Sequence, residues 1–372
     1  MFGTGQFQLY NPVRVIYGKG ELKRAAEIFG ISNVLIVCDP YVSTSEYFKE
    51  AMAGFNSVFI YNKIIPNPPC ELIDEIIESV YEHSKGAPKF EGVIGIGGGS
   101  TLDTAKAVSS LLVSEGKLAD YVEGKKKFEK RLPLMLIPTT SGTGSEVTNV
   151  GVYTLNDIKK PMTSPTFWAD IALVDPVLTY SMPKRVAATT GLDALTHAIE
   201  SYWATSTQPY TEGLALRSAK MIFESYEASL NGEEWAKDEM AIAATIAGIA
   251  FSQTRTTAAH AISFPITSFY NVEHGLACAL TLPTLIRWTY KFISEKMDDF
   301  VRYVGFKDVE ELAKRIEHMM EYSGFSLKLH DYGVKEDELE KIAKVSVEAN
   351  IINLTPGNPK YEDVLEILKT IY

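Results

Sequence analysis

The first half of this chain alternates stretches suited to a β-strand with stretches suited to a helix, and after Asp175-Pro176 the alternation stops. Val13 to Tyr17, Asn33 to Cys38, Ser57 to Tyr61, Gly92 to Ile96 and Leu134 to Ile137 are short apolar runs rich in β-branched residues. Continuous runs of this kind mark strands of a parallel sheet, because crossover helices bury both faces. Helical patterns fall between them: Glu21 to Phe29 closed by Gly30, Cys70 to Ser84, and a stretch from Thr101 to Ser114. Strand, helix, strand repeated this often predicts a doubly wound α/β domain. From Pro183 onward only helical patterns appear, among them Thr211 to Tyr226, Trp235 to Phe251, Val309 to Tyr322 and Lys335 to Asn350. The expectation is an α/β nucleotide-binding domain over 1–179 and an all-α domain over 180–372, since 372 residues exceed what one core usually spans.

Three stretches of the first half have the chemistry of a nucleotide site. Gly95-Ile-Gly97-Gly98-Gly99-Ser100 follows a strand and opens a helix. Glycines let a backbone approach a pyrophosphate, and a helix N-terminus presents free N–H groups and positive dipole. Ser100 is expected to cap that helix, with Asp103 three residues on. Asp39 ends the strand Val34 to Cys38, where a carboxylate accepts hydrogen bonds from an adenosine ribose and repels a 2′-phosphate, which favours NAD over NADP. Pro138-Thr-Thr-Ser-Gly-Thr-Gly-Ser-Glu146 packs hydroxyls and glycines directly after a strand, a composition that wraps a polar ligand.

The second half offers metal ligands. Asp193 and His197 are four apart in a run of helix formers, so both side chains project from one helix face. His260 sits in the Ala-rich stretch Thr257-Ala-Ala-His260-Ala-Ile, and His274 precedes Gly275. One carboxylate and three imidazoles suit iron, zinc or a similar first-row ion, which can also take a substrate oxygen.

Composition narrows the partners. A net charge of −11 without a long Lys/Arg cluster argues against nucleic acid. Three scattered cysteines, Cys38, Cys70 and Cys278, fit reduced thiols better than a disulfide framework. The opening Met1-Phe-Gly-Thr-Gly-Gln-Phe lacks the basic start and apolar run of a signal peptide, and no apolar segment approaches the ~20 residues of a membrane span, so a soluble, cytoplasmic protein is expected.

Taken in order, Gly97-Gly-Gly-Ser-x-x-Asp103-x-Ala-Lys106, Pro138-Thr-Thr-x-Gly-Thr-Gly-Ser-Glu146, Asp193-x-x-x-His197, His260 and His274-Gly275 resemble the iron-containing (group III) alcohol dehydrogenases, and the likeness runs from Phe7 to Asn358-Pro-Lys-Tyr-Glu-Asp-Val. The resemblance implies a dehydroquinate-synthase-like fold, with a nucleotide-binding α/β domain, a helical domain and a metal at the cleft. It makes Asp193, His197, His260 and His274 the ligands of Fe2+ or Zn2+, with His260 and His274 the catalytic pair. Asp39 becomes the ribose contact; Gly97, Gly98, Gly99 and Ser100 hold the pyrophosphate; Thr139, Thr140, Thr143 and Ser145 line the cofactor cleft, with Asn67 and Lys160 as further contacts. A homodimer is implied by the same resemblance.

Where many members carry a second histidine four residues after the ligand matching His260, this chain has Phe264, which neither donates nor accepts a proton. Proton transfer then passes through water at the metal, the cofactor ribose or another hydroxyl, with Tyr270 a candidate. Gln253 to Thr267, together with Glu200-Ser-Tyr-Trp203, is similar to the branch that includes phosphonoacetaldehyde reductases (hydroxyethylphosphonate dehydrogenases). Arg255, read as one or two helical turns before His260, is placed to bind an anionic substrate tail by a forked contact. The activity so implied is metal-dependent hydride transfer between a nicotinamide cofactor and a small alcohol or aldehyde. Two alternatives stay open at this stage, an NAD-using sugar-phosphate cyclase of the dehydroquinate-synthase kind, which is a lyase, and a nucleotide-binding protein with reduced catalysis.

Overall fold

Unbroken apolar strands bury both faces only if helices flank them, and Asn33–Cys38 illustrates the consequence. Val34, Ile36 and Cys38 face one layer with Ala25, Phe29, Phe48 and Met52. Leu35 and Val37 face the other with Ile73, Ile76, Leu102 and Val108. Each Val, Leu, Ile, Phe or Met side chain among these contributes roughly 1.5–3 kcal/mol on burial. The computed structural model describes residues 6–84, 90–156 and 158–372; Met1 to Gly5, where the absence of a leader is read, lie outside it. The chain divides into two compact units, one comprising Asn11–Thr140 and Gly144–Met182, the other the segment up to Tyr10, Ser141–Thr143 and Pro183–Tyr372.

Among the described residues, the first unit carries a six-stranded parallel sheet and five α-helices. In chain order these are β1 (Arg14–Tyr17), α1 (Ala25–Phe29), β2 (Asn33–Cys38), α2 (Glu46–Met52), β3 (Ser57–Tyr61), α3 (Cys70–His83), β4 (Gly92–Gly97), α4 (Gly99–Leu111), α5 (Leu118–Val122) and β5 (Leu134–Pro138). An antiparallel hairpin, β6 (Val150–Leu155) with β7 (Ile158–Thr163), precedes the last strand, β8 (Ile171–Val174). The sheet order is β1-β8-β5-β4-β2-β3. From β2 the chain runs outward through α2 to β3, then returns to β4 on the other side of β2. The helix after β2 packs in one layer and the helix after β4 in the other, so the C-terminal ends of these two neighbours form a topological switch point, the customary ligand crevice of such sheets.

Neither the hairpin nor β8 is among the strands expected from sequence. Gly151, Pro161 and two lysines break the alternation of the hairpin, and β8 is only four residues long; pairing and burial supply what local propensity does not.

The second unit is helical: α6 (Lys184–Trp203), α7 (Pro209–Leu230), α8 (Glu234–Thr254), α9 (Ala258–Tyr270), α10 (His274–Val304), α11 (Val309–Tyr322), α12 (Leu339–Glu348) and α13 (Tyr361–Thr370). α6 is its centre, packed against α7, α8 and α10. Its buried side chains run almost without interruption from Ala187 to Trp203, so it is buried all round rather than along one stripe. Among the described residues no helix is long and apolar enough to cross a membrane.

Candidate metal and nucleotide sites

The metal ligands expected from sequence lie on three helices of the helical unit. Asp193 and His197 project from α6 one turn apart, with His197 Nδ1 3.9 Å from Asp193 Oδ2. His260 lies in the first turn of α9 and His274 opens α10. Gly275 allows α10 to start so close to α6: a Cβ there would stand 1.9 Å from the Thr189 carbonyl oxygen and 2.8 Å from Asp193 Cβ. That approach leaves His274 Nε2 3.9 Å and His260 Nε2 3.6 Å from the same Asp193 Oδ1.

The rings are held from behind. His260 Nδ1 meets the Glu200 carboxylate at 2.5 Å, and Glu200, fully buried, also accepts from Thr257 N, Thr257 Oγ1 and Ala259 N. Burial opposes the Glu200 charge, but His260 and these donors hold its pKa below the ordinary carboxyl range. His274 Nδ1 faces Ser263 Oγ at 3.3 Å. His197 stacks between Phe251, at a ring separation of 4.2 Å, and His260, at 4.4 Å. Burial draws its pKa down to about 4, so it is neutral, the form that binds metals. Burial also acts against Asp193, yet His197, His260 and His274 keep its carboxyl below its usual value.

This arrangement fits a cation. Asp193 Oδ1, His197 Nδ1 and His260 Nε2 are buried and lack a hydrogen-bond partner. With Nδ1 of His260 donating to Glu200, its Nε2 lone pair looks at a carboxylate oxygen, which is repulsive until something positive stands between them. A proton would serve that pair alone; an ion serves all the donors together. The atoms within 4.8 Å of one another come from Asp193, His260, His274 and also Cys278, and His197 adjoins this set with its Nδ1 3.9 Å from Asp193 Oδ2.

Glu200 and Cys278 are the residues that sequence reasoning missed. A lone acid between Ala198, Ile199, Tyr202 and Trp203 is a signal in itself, and Cys278 repeats after His274 the four-residue spacing of Asp193 and His197. Glu200→Gln is expected to weaken zinc or cobalt binding about 10–100-fold, the usual effect of losing a carboxylate behind a ligating histidine. A competition titration against a chelator measures it, and an unchanged affinity would show that Glu200 does not orient His260.

Other residues of this unit depart from expectation. Arg255 is not on the helix of His260. It ends α8 at φ 67° and ψ 173°, with its N–H on the Phe251 carbonyl, and α9 begins only after it. That backbone region is nearly exclusive to glycine and costs on the order of 1–3 kcal/mol. Its guanidinium is half-buried, with no carboxylate partner among the described residues. Phe264 lies beside His274, ring over ring at 6.4 Å. Tyr270 ends α9, and burial together with Glu338 raises its pKa to about 12.

In the α/β unit, Asp39 and the Gly97–Ser100 turn, expected from sequence to contact a nucleotide, lie at the switch point between β2 and β4. Asp39 follows β2, its N–H on the Ile96 carbonyl of β4 and its Oδ1 accepting from Tyr41 N. Gly97 ends β4 where a Cβ would lie 2.5 Å from Thr101 Oγ1, so the close turn into α4 demands glycine. Ser100 is not the cap of α4. The helix starts at Gly99 with Gly98 as N-cap, leaving Ser100 Oγ to accept from Asn67 N. Asn67, at φ 53°, is tied by its carbonyl to Thr154 of β6, which brings the hairpin bearing Lys160 against the glycine turn.

Thr139 is buried with its N–H on Gly97 O, and the Thr140 methyl lies 3.4 Å from where a Gly98 Cβ would be. Ser145 is occupied inside the α/β unit, where its hydroxyl donates to Asp103 Oδ1 and accepts from Lys106 Nζ, each at 2.7 Å. Burial draws that lysine down to about 8. Thr143 is half-buried and belongs to the helical unit.

The sequence patterns of two known families match the chain. The one described as iron-containing alcohol dehydrogenase matches residues 12–176, and that of the Fe-containing alcohol dehydrogenase family, C-terminal, matches 187–372. Long-chain-alcohol dehydrogenase 1 of Geobacillus thermodenitrificans is 34% identical over 88% of this chain and 85% of its own. Sulfoacetaldehyde reductase of Bilophila wadsworthia is 32% identical over 98% of both. The crystal structure of sulfoacetaldehyde reductase from Bifidobacterium kashiwanohense in complex with NAD+ superposes with a TM-score of 0.93, at 30% identity over 99% of each chain.

Proposed function

The chain belongs to the iron-containing alcohol dehydrogenase family and is an oxidoreductase of alcohols and aldehydes; on that premise we propose that it moves hydride between NAD and a small substrate with an anionic tail, at a divalent ion held by Asp193, His197, His260 and His274. The observation that carries the metal reading is the pair of buried, unpartnered atoms Asp193 Oδ1 and His260 Nε2, 3.6 Å apart. An ion held there would supply Lewis acidity to a substrate oxygen, worth several kcal/mol. Glu200 and Ser263 fix the rings of His260 and His274, so the donor atoms need no reorganisation when the substrate charge changes. Phe264 lies ring over ring with His274 and neither donates nor accepts a proton, so it leaves proton transfer to other groups. Assembly as a homodimer in the cytoplasm belongs to the same proposal.

Names of relatives favour this reading over a sugar-phosphate cyclase or a protein with reduced catalysis, since they are dehydrogenases and reductases. Following absorbance at 340 nm over a panel of alcohols and aldehydes, with iron or zinc added, tests it. Net NADH formation or consumption is expected; a cyclase leaves the signal unchanged at full turnover, and an inactive protein gives neither signal nor product.

The anionic tail is supported by the two sulfoacetaldehyde reductases among the relatives and by Arg255, strained and without a carboxylate partner among the described residues. A guanidinium–anion contact is worth about 1.5–3 kcal/mol. Arg255→Ala is therefore expected to lower kcat/KM roughly 10–150-fold on a sulfonate or phosphonate aldehyde while leaving ethanal within about twofold. Equal losses on both would remove the tail-binding role. For Asp39, the expectation is that NAD exceeds NADP in kcat/KM by about tenfold or more, and that Asp39→Ser narrows the ratio. A wild-type preference for NADP would contradict the assignment.

A further inference from the structure

Cys278 follows His274 by four residues in α10, so its thiol projects from the same helix face one turn on. It is fully buried and in no disulfide. Its Sγ lies 3.9 Å from His274 Nε2, the nitrogen that also faces Asp193 Oδ1 at 3.9 Å, whereas the other nitrogen of that ring meets Ser263. The sulfur therefore stands on the ligating side of His274, not behind it. One donor atom each from Asp193, His260, His274 and Cys278 lies within 4.8 Å of all the others. Donors bound to one first-row ion at 2.0–2.3 Å with tetrahedral angles are about 3.3–3.8 Å apart. The separations of 3.6, 3.9 and 3.9 Å need to change by only tenths of an ångström. Two of the atoms that border this space, Asp193 Oδ1 and His260 Nε2, are unpartnered on side chains only 4% exposed.

We propose that Cys278 is a further ligand of this centre, giving it a thiolate sulfur beside the carboxylate and the imidazoles. The inference rests on the metal reading above. Ligation exchanges the S–H proton for the ion, with the proton leaving to solvent. A soft sulfur donor moves the preference of the site toward zinc relative to a set of nitrogen and oxygen alone.

Cobalt decides the question by its colour. Full-length protein is stripped with a chelator, reloaded with Co2+ to one ion per chain by metal analysis, and its absorption recorded. Wild type is expected to show a near-ultraviolet thiolate-to-cobalt charge-transfer band, absent in Cys278→Ser and Cys278→Ala and retained in Cys70→Ser. Zinc affinity of the Cys278 variants is expected to fall about tenfold or more in chelator competition. The proposal is overturned if wild type holding one cobalt per chain shows visible cobalt bands without the ultraviolet band, a result that stands even if the variants fail to fold, or if the band survives in Cys278→Ser. Wild type that takes up no cobalt at all would overturn the metal reading itself, and this inference with it.

Discussion

Asp193→Asn is expected to reduce turnover by about 10³-fold, equivalent to roughly 4 kcal/mol, and to leave the purified protein with little bound metal. Asp193 Oδ1 is the atom on which the imidazoles of His260 and His274 converge, at 3.6 and 3.9 Å. The substitution preserves shape and removes the charge, so the loss reports the electrostatic role and not a cavity. Stripping wild type with a chelator should reproduce the defect, and added metal should restore wild type but not the variant. Metal content by mass spectrometry and kcat from NADH absorbance are the measurements. A variant that retained stoichiometric metal and a kcat within tenfold of wild type would remove Asp193 from the centre.

Gly275→Ala is expected to destabilise the helical unit by about 3 kcal/mol or more, the upper end for an overpacked core, because the atom in the way is a backbone oxygen 1.9 Å from the new Cβ. At roughly 2–4 °C per kcal/mol, Tm should fall by about 6–12 °C. The same strain pushes His274 away from Asp193, so metal affinity should fall together with stability. Gly213, exposed in α7 with nothing within 4 Å of its would-be Cβ, provides the contrast: Ala there should be neutral or stabilising by up to about 1 kcal/mol. Thermal melts of both variants, with and without metal, make the comparison. An unchanged Tm in Gly275→Ala would mean that α6 and α10 are not held at the distance described.

Much of the site was readable because its chemistry needs scarce residue types at helical or strand-end spacings. Asp193-x3-His197 names a helix face by arithmetic alone, and Gly97-Gly-Gly-Ser after an apolar strand names a turn that only small residues make. Details that depend on competing partners were not readable. Ser100 has the chemistry of a cap, but Gly98 takes that place and Ser100 turns to Asn67. Arg255 has the spacing of a helical residue, but the chain breaks there, and the residues just beyond it, Thr257 and Ala259, give their N–H groups to Glu200.

Local pattern determined, without any structure, that this chain would have a parallel α/β half and a helical half, because strand and helix periodicities are written within a few residues. It also determined which residue types were available to hold a metal. Which atoms converge was left to packing. α6, α9 and α10 come from separate stretches of sequence, and only their contact, made possible at Gly275, sets Asp193, His260, His274 and Cys278 around one point with Glu200 behind them. A spacing of four residues specifies a direction on one helix; a coordination sphere needs distances between helices, and those are settled only when their side chains interlock.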